Sequence, residues 1–77
     1  MTHGYEIRWP DSHIDRAETL GQLYDHISQD YHPNLRFRFI MVSRAKKWSD
    51  TKISIFHTKA GFIKELARAR MFQLKEF

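Results

Sequence analysis

Three features of the chain predict an α+β domain of order β-α-β-β-α, a three-stranded mixed sheet with two helices on one face. Two stretches alternate apolar and polar residues with period two, two others repeat at helical spacing, and at 77 residues the chain has room for a single compact domain spanning 1–77. The composition agrees: 42% hydrophobic and 14% aromatic residues, with three Gly and two Pro, are too apolar and too poor in linker residues for disorder. No internal repeat is present.

Residues 5–9 (Tyr5, Glu6, Ile7, Arg8, Trp9) alternate, and Pro10, Asp11 and Ser12 supply turn chemistry after them. A short strand and a stop are expected there. From Asp15 the period changes, because Ala17, Leu20, Leu23, Tyr24, Ile27 and Tyr31 fall on about a third of a wheel drawn at roughly 100° per residue. Asp15 and Glu18 resemble a capping box, Gly21 costs about 1 kcal/mol relative to Ala, and Pro33 ends this helix by forcing its neighbour out of the α region.

Residues 35–43 carry the strongest strand pattern, with Leu35, Phe37, Phe39 and Met41 on one face and Arg36, Arg38, Ile40 and Val42 on the other. A polar bend, Arg44 to Asp50, leads into a third strand, Thr51 to His57, so these two strands read as a hairpin. Thr58 is the expected N-cap of a second helix whose inner arc is Phe62, Ile63, Leu66 and Ala69. Arg70 breaks that arc, which implies a bend, an end near residue 70, or a tail that packs elsewhere. A right-handed crossover would make strands one and two parallel, and the hairpin antiparallel. One sheet face would then stay open, carrying Glu6, Arg8, Arg36, Arg38, Ile40, Val42, Lys52, Ser54 and Phe56.

Charge is unevenly placed. Residues 1–33 hold two bases against six acids (net −4), and residues 34–77 hold eleven bases against three acids (net +8), beneath an overall +4. Cysteine is absent, which excludes disulfides, thiolate zinc sites, iron–sulfur clusters and a cysteine nucleophile and suits a cytoplasmic protein. Acidic and basic residues interrupt the first fifteen positions, so no secretory signal is expected. The longest apolar run, Phe39 to Val42, is far short of the roughly twenty residues that span a bilayer. No membrane role is expected.

An open face with Arg36, Arg38, Lys52 and Phe56 has the ingredients of a nucleic-acid platform, where cations meet phosphate and a ring stacks on a base. The ordinary alternative is that strand residues facing water are often Arg and Lys. The bend would add Arg44, Lys46, Lys47 and Trp48 at a protruding tip, and the second helix Lys64 and Arg68, an i,i+4 pair of like charge. Lys59, Arg70 and Lys75 lie on the same stretch. A single aromatic on the open face is fewer than an RNA-recognition sheet presents.

Five histidines are spread through the chain without a His-x-x-x-His spacing. His26 and Asp30 stand four apart as a solvated surface pair, and two ligands do not make a zinc site. Met1-Thr2-His3 could chelate a square-planar cation only while Met1 is retained. Asp11, Ser12 and His13 are sequence neighbours and therefore not a triad, and no nucleophile elbow, phosphate loop or dinucleotide fingerprint occurs. No catalytic residue, cofactor or metal is expected.

The reading is thus a small non-enzymatic module whose basic sheet face and hairpin tip bind nucleic acid or a nucleoprotein. Its rival is a protein-binding regulator or inhibitor, of the kind a phage or mobile element encodes, docking on an acidic or nucleic-acid-binding site of a larger protein. In that version Ile40, Val42 and Phe56 form an apolar centre with Arg36, Arg38 and Lys52 as its rim. An uncovered sheet edge would also admit a second copy of the chain as a homodimer.

Overall fold

The computed structural model describes residues 4–31, 34–49 and 52–77. It is an α+β fold, in the order β1 (Tyr5–Arg8), β2 (Ile14–Ala17), α1 (Leu20–Ser28), α2 (Asn34–Ser49), α3 (Lys59–Arg68) and β3 (Gln73–Glu76). The sheet runs β2-β1-β3 and both pairings are antiparallel. Among the described residues the expected β-α-β-β-α order, mixed sheet and two-helix count are therefore corrected to β-β-α-α-α-β, an antiparallel sheet and three helices.

The first strand and its turn stand where the alternation put them. Trp9 N–H bonds His13 O at 2.9 Å, Ser12 N–H bonds Trp9 O at 3.0 Å, and His13 N–H is taken by the Asp11 carboxylate at 3.0 Å. Ser12 adopts a left-handed φ of 75°, as a three-residue hairpin loop requires of its last residue. The chain therefore returns at once as β2. Alternation hides β2 because its polarity is inverted: Asp15 is buried while Ile14 and Arg16 face water. Asp15 tolerates burial because Trp9 Nε1 donates to it at 2.7 Å and the Nε2 atoms of His13 and His26 stand 3.4 and 3.2 Å away.

Helix α1 starts after β2, so the capping box lies four residues beyond the expected one. Thr19 Oγ1 accepts from Gln22 N at 3.1 Å, and Gln22 Oε1 accepts from Thr19 N at 3.2 Å. Leu20, Leu23 and Tyr24 of the expected arc are buried, with Ala17, Ile27 and Tyr31 packed against them. Pro33 and His32 lie outside the described residues, as do Met1-Thr2-His3.

The chief correction concerns residues 35–57. Residues 35–43 form helix rather than strand, because Phe37, Met41 and Ala45 recur at i, i+4 and i+8 and are all buried. Leu, Arg, Met, Ala and Lys are strong helix formers, and only Ile40 and Val42 are β-branched in that stretch. The period-two pattern placed Leu35 and Phe39 inside, yet they are 47% and 53% exposed. With the partner strand lost, the hairpin disappears: residues 52–54 have no regular structure, and residues 55–57 form a turn before α3. Asp50 and Thr51 lie outside the described residues.

Helix α3 follows the expectation closely. Thr58 Oγ1 accepts from Gly61 N at 3.1 Å, and Phe62, Ile63, Leu66 and Ala69 are buried. Its end is a Schellman motif, with Met71 N–H on Leu66 O at 3.1 Å, Arg70 N–H on Ala67 O at 3.0 Å, and Arg70 at φ 62° where glycine is usual. This reversal turns the chain into β3, which closes beside β1 and buries Met71 and Phe72. Tyr24, Phe37 and Phe62 form the aromatic centre of the core, with ring centroids 5.3 to 6.1 Å apart.

Candidate nucleic-acid interface

An open groove of about 1270 Å³ lies between α3 and β3, reaching across to the end of β1. Helix α3 contributes Lys64, Ala67 and Arg68 from its outer side, and the left-handed residue after it contributes Arg70. Strand β3 adds Gln73, Leu74 and Lys75, while β1 and its turn add Arg8, Trp9, Pro10 and Ser12. Among the described residues five cations therefore line this groove, and no carboxylate does.

Local structure fixes each of them. Lys64 and Arg68 are one helical turn apart on the face opposite Phe62, Ile63 and Leu66. Arg8 faces away from Ile7 by strand alternation, and Lys75 stands on the same outer sheet face because Glu6 and Lys75 are register partners. Partial neutralisation comes from the margins: Arg8 lies 3.7 Å from Glu6, and Arg68 lies 3.3 Å from Glu65. Both arginine side chains remain mostly in water, where such pairs are weak. Among the described residues neither Lys64 nor Arg70 has an ion-pair partner.

Trp9 forms the apolar end of the groove. Its indole N–H is held by Asp15, and Phe72 packs against its ring edge-on at 5.0 Å, so the ring cannot rotate freely. The indole is thus a partly buried side chain, packed against the core and held in place beside the cations.

The residues expected to bind are only partly brought together. Lys64 and Arg68 line the groove. Arg36 is exposed on α2, and Ile40 is half-buried on that helix. Arg44, Lys46, Lys47 and Trp48 occupy the last turns of α2 instead of a hairpin tip; the lysines there complement the helix C-terminus, and Trp48 is 61% exposed. Lys52 is exposed in the following segment, and Phe56 is 87% exposed in the turn before α3.

Arg38 has a structural role that alternation concealed. Its Nε donates to Tyr24 Oη at 2.7 Å, and its Nη1 donates to the carbonyls of Ile55, at 2.7 Å, and of His57. The guanidinium also lies 5.1 Å from the ring centroids of both Tyr24 and Phe62. It therefore ties α2 to α1 and to the turn before α3. The expected sheet face of Arg36, Arg38, Lys52 and Phe56 does not exist as one surface, and Ile40, Val42 and Phe56 do not share a sheet face.

The actual outer sheet face carries Glu6, Arg8, Ile14, Arg16, Gln73 and Lys75. At its centre Glu6 is buried by Arg16, whose Nε donates to it at 2.8 Å. Arg8, Trp9, Arg70, Phe72 and Lys75 line the groove although they lay outside the expected set of binding residues. Signals existed for three of them: alternation puts Arg8 on the open face, Arg70 and Lys75 are among the cations of the last stretch, and Arg70 also stands out as the break in the apolar arc. His26 turns to Asp15 rather than pairing with Asp30 as expected. Among the described residues no group of three or more His, Cys, Asp or Glu could hold a metal ion, and no helix is long and apolar enough to cross a membrane.

The chain matches no protein-family model, and comparison with curated proteins and with solved structures returns no match. The chemistry of the groove therefore stands on its own residues.

Proposed function

We propose that the protein is a small non-enzymatic module that binds nucleic acid, with the phosphate backbone held in the α3/β3 groove. The observation that carries this reading is the convergence of Arg8, Lys64, Arg68, Arg70 and Lys75 on a groove that, among the described residues, no carboxylate lines. Cations at this density attract a polyanion and release its counterions, which supplies affinity without reading sequence. Trp9 adds a fixed aromatic surface on which a base can stack. A nucleic-acid partner and a cysteine-free chain both suit the cytoplasm.

The test is the affinity of a labelled single-stranded oligonucleotide, by fluorescence anisotropy in low salt, for the native chain and for two variants. The groove variant Lys64→Glu with Arg68→Glu should bind at least about tenfold more weakly, since two phosphate contacts become repulsions. Arg36→Glu, on α2 and outside the groove, should change affinity by less than about threefold, through long-range charge alone. Undetectable binding by the native chain, or equal losses in both variants, would refute the proposal.

A further inference from the structure

Helix α2 carries a second surface, independent of the groove. Its inner side is spent on Phe37, Met41 and Ala45, yet its outer side still shows Leu35 and Phe39, about half exposed. Beside Phe39 is a shallow notch of about 370 Å³, walled by Phe39, Ile40, Ser43, Arg44 and Lys47. Ile40, Ser43, Arg44 and Lys47 stand at i, i+3, i+4 and i+7. That is the spacing of the four residues that make a hole for one side chain of a facing helix. Ser43 is the small member that leaves the notch open.

Charge decides what kind of helix fits. Residues 34–49 contain no carboxylate, Arg44 and Lys47 wall the notch with cations, and Arg36 stands one turn before Ile40 on the same helix. A second copy of α2 would set cations against cations. The other helices of a second copy have buried their apolar arcs, Leu20, Leu23 and Tyr24 in α1 and Phe62, Ile63 and Leu66 in α3. The remaining occupant is a helix from another protein, with an apolar stripe for the notch and carboxylates flanking it.

We infer that the outer face of α2 docks an acidic amphipathic helix of a partner protein, seating an apolar side chain between Ile40, Ser43, Arg44 and Lys47. The protein would then hold two ligands on separate surfaces, nucleic acid at α3/β3 and a protein helix at α2.

The probe is a capped peptide of about four helical turns with leucines at i, i+3 and i+7 repeats and glutamates between them, alongside a shuffled peptide of equal composition. The native chain should bind the patterned peptide at least about tenfold more tightly than the shuffled one. Ser43→Glu, which fills the notch at an exposed position and repels the peptide's glutamates, and Lys47→Glu should each weaken it about tenfold, with unchanged circular dichroism. Lys64→Glu with Arg68→Glu should leave peptide affinity within about twofold, so loss of the groove function does not imitate loss of this one. Equal binding of both peptides, indifference to Ser43→Glu, displacement of the peptide by oligonucleotide, or a homodimer abolished by Ser43→Glu would each overturn the inference.

Discussion

Replacing Arg38 with alanine separates a structural arginine from a binding one. The side chain gives three hydrogen bonds, to Tyr24 Oη and to the carbonyls of Ile55 and His57, and lies over two aromatic rings. A hydrogen bond from a charged donor contributes roughly 1.5–3 kcal/mol net. Arg38 is only half-buried, so water replaces much of what is lost and each bond contributes about 0.7 kcal/mol, with about 0.5 kcal/mol for each ring contact. Three weakened bonds and two ring contacts then amount to about 3 kcal/mol. In a chain of this size that lowers the melting temperature by roughly 12–24 °C.

Urea denaturation followed by circular dichroism gives the difference directly, and Arg36→Ala is the matched control on the same helix. The control should stay within about 0.5 kcal/mol of the native chain, as an exposed substitution does. Arg38→Lys should recover less than half the loss, because an ammonium cannot reproduce the planar fork that reaches three acceptors. Stability of Arg38→Ala within about 1 kcal/mol of native would refute the clamp and return Arg38 to the pool of free surface cations.

Two further substitutions test local structure. Thr19→Ala removes half of the α1 capping box and should cost about 1 kcal/mol in the same denaturation assay, whereas Glu18→Ala should cost much less. Arg70→Gly should raise stability by about 0.5–1 kcal/mol, because glycine occupies φ 62° without strain, while lowering oligonucleotide affinity through the lost groove cation.

Local chemistry was legible wherever one strong signal acted alone. Thr58 before Phe62 and Ile63 marked α3, Arg70 marked its end, and Pro10 to Ser12 marked the turn after β1. The failure at residues 35–43 came from two periods written into one stretch. Leu35, Phe37, Phe39 and Met41 satisfy alternation, but Phe37 and Met41 also satisfy i,i+4, and Ala45 extends only the helical pattern. Strand β2 was hidden because burial of Asp15 depends on Trp9 and on two histidines, from the hairpin turn and from α1, which only the tertiary fold brings near it. Strand β3 was hidden because most of its residues face water beside β1.

The candidate site shows the same division. Lys64 and Arg68 were readable as an exposed i,i+4 pair. Their neighbours Arg8 and Lys75 come from opposite ends of the chain, joined only when β3 pairs with β1. Composition indicated that a basic surface would exist, but long-range pairing determined where it lies.

The salt dependence of oligonucleotide binding tests the central claim most directly. With the groove as the phosphate site, log K should fall steeply with log salt, and each of Arg8→Ala, Lys64→Ala, Arg68→Ala and Lys75→Ala should reduce the slope by about 0.7–0.9. Arg36→Ala and Lys47→Ala on α2 should leave it unchanged. A slope insensitive to the groove substitutions, or one reduced only by those on α2, would contradict the account.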